Sequence, residues 1–182
     1  MQKEVNTNEA FCTVTRTRLQ KHSLVMGAEV DCCLKSFRDK PSFKPPKNYI
    51  ELKTTRIMQY YKQKQNFARY KLLKFWAQSF LAGLPRVIVG ERDDDGVVLE
   101  LKTYDTMQIP SQARQFSSDW NASVCLNFLD KFLSWMKEIV VEDNPDSVYM
   151  FYFNEPFDKI TVTFSSDGHE RFLPEWFTNF SE

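Results

Sequence analysis

The sequence predicts a mixed α/β domain of the α+β class, with a mixed, largely antiparallel β-sheet flanked by helices. Three observations carry that expectation. Several short stretches alternate apolar and polar residues, as half-buried strands do. Two longer stretches repeat their apolar residues at helical spacing, and turn residues separate the segments. The chain has 182 residues, 42% of them hydrophobic and 15% aromatic. That is enough to bury one core and too apolar for a wholly disordered chain. A single domain over 1–182 is the expected organisation.

The elements follow in order. Residues 11–19 (FCTVTRTRL) alternate as a strand, and residues 23–34 (SLVMGAEVDCCL) read as a second. Residues 35–47 are basic and hold Pro41, Pro45 and Pro46, which predicts an exposed loop. Residues 48–55 (NYIELKTT) read as a third strand. A helix is predicted from about Tyr60 to Ala82, with Tyr70, Leu73, Ala77, Phe80 and Leu84 along one face and Lys71, Lys74 and Gln78 on another. Gly83 suits its end, and Pro85 follows. Residues 86–91 form a strand, Asp94-Asp95-Gly96 a hairpin turn, and Val97–Tyr104 the returning strand. Residues 105–118, with Pro110, read mostly as loop. Asp119 or Asn121 caps a second helix, whose face carries Val124, Phe128, Lys131, Trp135 and Ile139 with Phe132 beside it. Val148–Phe153 and Lys159–Phe164 make a last strand pair, and Phe172-Leu173-Pro174-Glu175-Trp176 reads as an aromatic clasp on the core.

Several classes find no support. No run of 18 or more apolar residues occurs, so no membrane span is expected. Met1-Gln2-Lys3-Glu4 opens no apolar segment of a secretory signal. Cys12, Cys32, Cys33 and Cys125 lack zinc spacing, and adjacent cysteines are no ordinary disulfide pattern, which favours a reducing intracellular compartment. Serine-hydrolase elbows, P-loops and dinucleotide fingerprints are absent from the sequence. His22 and His169 stand alone and are read as structural.

The net charge of zero hides a segregation. Residues 35–75 hold 12 of the 24 Lys and Arg against two acids, Asp39 and Glu51, a window of +10. Taken alone it is a solvated basic surface or a track for a polyanion, since Lys and Arg neutralise phosphates and release counterions.

Candidate chemistry lies in Glu29-Val30-Asp31 and Glu51-Leu52-Lys53. Residues i and i+2 of a strand share a face, so Glu29 with Asp31, and Glu51 with Lys53, project together, while Val30 and Leu52 are expected to point into the core. Crowded carboxylates need a compensating positive charge, and a divalent cation such as Mg²⁺ or Mn²⁺ takes hard oxygen donors of this type. Acids on the solvated face of a sheet are the ordinary alternative. Glu100-Leu101-Lys102-Thr103 repeats the E-L-K-T tetrapeptide without an upstream E-x-D, and is read as structural.

An Asp followed about twenty residues later by E-x-K resembles the PD-(D/E)XK nuclease core. The segments EVNTNEAFCTVTRTR, GAEVDCC, YIELKT and YKLLKFWAQSFLAGLPRVIVG resemble the DXO family of RNA 5′-end decapping nucleases. LKTYDTM, WNASVCLNFLDKFLSW and FLPEWF are similar to that family's C-terminal half. The resemblance implies a metal-dependent hydrolase that removes triphosphate, incomplete caps and NAD caps from RNA, with 5′→3′ exoribonuclease activity. It implies Mg²⁺ or Mn²⁺ held by Asp31, Glu51 and the Leu52 carbonyl, with Glu29 reaching the metal through water. Lys53 and Gln78 would meet the scissile phosphate and the attacking water, making Lys53, Gln78 and Glu51 the catalytic group. Glu29, Lys53, Gln78, Lys71 and Lys74 would bind the substrate, and RNA with a free 5′ end would enter along the basic window. A Rat-type exonuclease partner, as in fungal relatives, a monomeric state, no membrane, and a nuclear or cytoplasmic location complete what it implies. The family's arginine motif and Gly-Tyr-x-Phe-Glu motif, which precede the stretch matched from Glu4, do not occur in these 182 residues. A weakened metal site, or a truncated or degenerate member that grips RNA 5′ ends or a protein partner without cutting, is the alternative expectation.

Overall fold

In the computed structural model, strands β1 (Cys12–Leu19) and β2 (His22–Glu29) form an antiparallel hairpin in which Cys12 faces Glu29 and Leu19 faces His22. The structure describes residues 6, 8–34, 45–117, 119–144, 146–166 and 170–178. Most of the predicted basic loop (35–44), Glu4 and His169 lie outside them. The chain divides into two compact units, 1–130 and 131–182.

The first unit is built on a mixed four-stranded sheet. Its strands are β3 (Cys32–Cys33), β4 (Tyr49–Arg56), β5 (Arg86–Arg92) and β6 (Val98–Asp105), in that spatial order. β4 and β5 run parallel, and the outer pairs are antiparallel. A parallel pair needs a crossover, which the helical segment between them supplies. The predicted strand over 23–34 is two strands. The Val30 N–H still donates to the Phe11 carbonyl beside β1, 2.9 Å, whereas Cys32 already pairs with Ile50 on β4. The chain therefore changes partners at Asp31.

The crossover comprises α1 (Tyr61–Asn66), a π-helical turn (Phe67–Leu72) and α2 (Leu73–Ala82). The Gln63 side-chain oxygen accepts from the Gln59 and Tyr60 N–H groups and fixes its start. Gly83 ends it with φ +73°, a left-handed conformation that costs glycine little. The core forms where Phe67, Ala68, Leu72, Phe75 and Trp76 pack against Val87 and Val89 of β5 and against Ile109 and Ala113. Of the expected helix face, Leu73, Ala77 and Phe80 pack against this core partly buried and Leu84 is buried, but Tyr70 is exposed, because the widened π turn before α2 shifts the phase of a 3.6-residue count. Trp120 donates its indole N–H to the Ala68 carbonyl inside that turn, 3.0 Å.

Asp93 to Val97 closes the β5–β6 hairpin at the predicted turn, with Gly96 at φ +88°. The predicted loop 105–118 instead contains α3 (Ile109–Arg114), because Pro110 sits in its first turn, where no intrahelical N–H is required. α4 (Ala122–Ile139) is capped by Asn121, whose Oδ1 accepts from the Ser123 N–H at 2.8 Å. Its core contacts in the first unit come from Ala122, Cys125 and Leu126, whereas Val124 and Phe128 of the predicted face are exposed.

In the second unit, β7 (Val148–Tyr152) pairs antiparallel with β8 (Thr161–Ser165). Phe132 and Trp135 of α4 meet Phe151 edge-on at 5.6 and 5.4 Å between ring centroids. The short helix α5 (Glu175–Thr178) carries Trp176 and Phe177 exposed, as is Phe172, so these aromatic side chains of the predicted clasp are not buried.

Candidate functional site

Glu51 lies on β4, between two neighbouring strands, and is 2% exposed. Its Oε1 accepts from Gln78 Nε2 at 2.7 Å and lies 2.5 Å from Lys53 Nζ. Oε2 is buried with no hydrogen-bond partner among the described residues. Strand alternation puts Glu51, Lys53 and Thr55 on one face of β4. Helical spacing puts Lys71 and Gln78 on one face of the crossover helix, and Lys71 Nζ donates to Thr55 Oγ1 at 3.1 Å. The two faces meet, so Glu51, Lys53 and Gln78 form one bonded group with the Lys71–Thr55 pair further along the same strand. Lys53 Nζ also stands 5.9 Å from the centre of the Phe75 ring. Lys74 is on the same helix and exposed.

Asp31 sits between β2 and β3, where the chain's pairing partner changes from β1 to β4, and its Oδ2 accepts the Leu52 N–H at 2.8 Å. The carboxylate thus replaces the ladder partner that β3 is too short to supply. Glu29 and Asp31 line a cavity of about 670 Å³ with Phe11 and Leu52. Leu52 is 46% exposed, which corrects its expected burial. It does point away from Glu51's side, but that side of β4 has no cover at this position. Among the described residues, no three His, Cys, Asp or Glu side chains converge to hold a metal ion. The Glu29, Asp31 and Glu51 trio is therefore not gathered into a closed ligand set. Asp31 and Glu51 remain hard oxygen donors in adjacent chain segments, and the unpartnered Glu51 Oε2 is an acceptor that a cation would satisfy. Mg²⁺ commonly takes only one or two protein carboxylates and fills its remaining positions with water, so the donors present fit such an ion.

The second E-L-K-T forms a separate cluster. Lys102 Nζ lies 2.8 Å from Glu91 Oε1 and 3.6 Å from Glu100 Oε2. The bond to Glu91 raises the Lys102 pKa above its usual 10.5. Burial raises that of Tyr104 above 10.0. Glu91, buried opposite Glu100 on the next strand, escaped the sequence reading because it lies in no motif. Thr55 escaped it too, although a period-2 count from Glu51 reaches it. His22 is buried beside Asp130, 3.4 Å from Oδ1, as a structural histidine. The four cysteines are free thiols, and no helix among the described residues is long and apolar enough to cross a membrane.

Comparison with known proteins supplies the family. The RAI1-like PD-(D/E)XK nuclease profile matches residues 1–178. The human decapping and exoribonuclease protein is 46% identical over 174 residues, which cover 96% of this chain and 43% of that protein. The crystal structure of Scheffersomyces stipitis Rai1 superposes with a TM-score of 0.81 at 26% identity, covering 97% of this chain and 47% of that one. Candida albicans Rai1, in complex with pU5 and Mn²⁺, gives 0.76 at 27% identity over 90% of this chain and 43% of that one. The chain spans less than half the length of these relatives. With the mixed sheet, the crossover helix and the Glu51–Lys53 pair in place, the chain belongs to the RAI1-like PD-(D/E)XK nuclease family.

Proposed function

We propose that this chain carries the acid–lysine half of a divalent-metal-dependent hydrolase that acts on RNA 5′ ends as a decapping nuclease. The observation that carries the reading is Glu51. A buried carboxylate is costly unless it is compensated, and here one oxygen takes Lys53 and Gln78 while the other has no hydrogen-bond partner among the described residues. Asp31 and Glu51 would hold Mg²⁺ or Mn²⁺, with the Leu52 carbonyl and, through water, Glu29. Bound there, the ion would polarise a phosphoryl oxygen and lower the pKa of a coordinated water. Lys53 would hold its ammonium group against the scissile phosphate and keep the water oriented. Gln78 fixes Glu51 through its amide and offers a second contact to the phosphate. Lys71 and Lys74 continue the positive helix face along which the strand would lie. Asp31 keeps the Leu52 backbone in register beside the acid.

The substrates proposed are RNAs with triphosphate, incomplete or NAD-capped 5′ ends, followed by 5′→3′ degradation. A Rat-type exonuclease partner, a monomeric state and a nuclear or cytoplasmic location belong to the same proposal. The names of the relatives and the Mn²⁺ complex of the Candida albicans protein support this reading. A second reading, RNA 5′-end or protein-partner binding without cleavage, is favoured by the absence of three converging ligands among the described residues.

The test is Mn²⁺-dependent product release from 5′-triphosphate and NAD-capped RNA by the chain and by Glu51→Gln and Asp31→Asn, which keep the side-chain shapes. The hydrolase reading expects a loss of at least about a hundredfold in each variant. Equal turnover in all three proteins overturns it. Metal-independent RNA binding without turnover selects the second reading.

A further inference from the structure

We infer that the cleft beside the Lys71–Thr55 pair is a base-stacking subsite for single-stranded RNA, with Tyr70 as its platform. The inference rests on the proposed function and names where the rest of the substrate strand lies. The cleft holds about 300 Å³ and is lined by Thr55, Arg56, Gln63, Asn66, Tyr70 and Lys71 together with apolar side chains at its base. Not one of its lining residues is an acid, although the chain has as many acids as bases. Arg56 is paired with Asp94, which does not line the cleft, so Lys71 supplies the positive charge that attracts an anion to this concave surface.

Three features narrow the ligand from any anion to an RNA strand. Tyr70 is 54% exposed although aromatic, and the Arg69 guanidinium lies over its ring at 5.1 Å. One ring face is thus held in place and the other is left for a flat π-system, as in single-strand platforms. The Gln63 oxygen is fully engaged by the Gln59 and Tyr60 N–H groups, so the amide is fixed and its NH₂ is left as a donor for a base or phosphate oxygen. Lys71 bonds only the Thr55 hydroxyl among the described residues, which positions the ammonium and leaves its charge for a phosphate. Thr55 joins this cleft to the Glu51 and Lys53 side of β4. Thr55 is four steps along the strand from Glu51, about 13 Å. A strand whose end meets Glu51 and Lys53 therefore passes over Tyr70 once it is a few nucleotides long. The π turn that carries Tyr70 and Lys71 is of the kind found at functional sites.

The experiment measures length dependence without metal. Fluorescence anisotropy in EDTA compares a 5′-phosphorylated uridine dinucleotide and decanucleotide on the full chain, Tyr70→Ala, Tyr70→Phe and Lys71→Met. The wild-type chain should bind the decamer more tightly than the dinucleotide. Tyr70→Ala should lose about tenfold of decamer affinity and most of that margin, and Tyr70→Phe should recover it. Lys71→Met should lower the slope of log affinity against log salt by about one. Near-ultraviolet circular dichroism checks that each variant is folded, which is expected for an exposed ring. Equal decamer affinity in the wild type and Tyr70→Ala overturns the inference, as does a wild type with no length margin. Displacement of the RNA by polyglutamate with no sensitivity to Tyr70 also overturns it, since the cleft would then bind acidic peptide. A chain that keeps the length margin but hydrolyses nothing in Mn²⁺ defeats the proposed activity and leaves the subsite standing.

Discussion

Glu51 shows how one side chain couples stability to chemistry. Its carboxylate is held by Lys53 and Gln78 inside the protein, and among the described residues Lys53 is the cation bonded to it. Lys53→Met removes that charge and leaves a buried carboxylate, which should cost about 3 kcal/mol in chemical denaturation. Adding Mn²⁺ to that variant should raise its melting temperature more than it raises that of the wild type, because the ion then supplies the missing positive charge. A second residue-scale expectation concerns alkaline pH. Lys102 and Tyr104 both bind their protons more tightly in the fold than at their ordinary values of 10.5 and 10.0, through the Glu91 bond and through burial respectively. The stability they contribute is complete below those values and is lost as pH rises through the raised folded values. Denaturation between pH 9 and 12 should show that loss, and Tyr104→Phe should reduce it. The ionisation absorbance of Tyr104 should appear above that of an exposed tyrosine. The Glu51–Lys53 pair was readable because β4 is a strand with period 2, whereas Asp31 falls between two strands, and Glu91 and Thr55 gained their partners only from neighbouring strands and helices.

At the scale of elements, the crossover helix decides what faces β4. Gly83 ends it in a left-handed conformation, and an added Cβ would meet Pro46 Cγ at 4.0 Å, an ordinary contact, so Gly83→Ala meets backbone strain rather than a clash. Its cost should be about 1–2 kcal/mol by urea denaturation. Asn121→Ala removes the cap of α4 and should cost about 1 kcal/mol. Most strands and both long helices were readable from local periodicity, as were the Gly83 end and the Asp-rich hairpin. The π turn was not, because its extra residue per turn is paid in backbone geometry and recovered in tertiary contacts such as the Trp120–Ala68 bond. Helix α3 was hidden by Pro110, which breaks a helix interior and favours a helix start.

At the scale of the molecule, apolar side chains lie outside the core on several strands. Val14 and Val25 on the β1–β2 hairpin and Leu99 and Leu101 on the edge strand β6 are all more than half exposed. Edge strands with uncovered apolar groups template further pairing. The chain should therefore associate as its concentration rises, measured by sedimentation, and Leu101→Lys should reduce that association. The sequence by itself determined the α+β class, the order of most strands and helices, the acid–lysine pattern and the family resemblance, because those depend on local periodicity and on residues adjacent in the chain. Only the tertiary structure decided that Glu51 is buried while Leu52 is exposed, and that Gln78 and Lys71 meet β4. Alternation says which residues share a side of a strand, but which side is covered depends on what packs against it, and that is fixed by contacts between segments far apart in the chain.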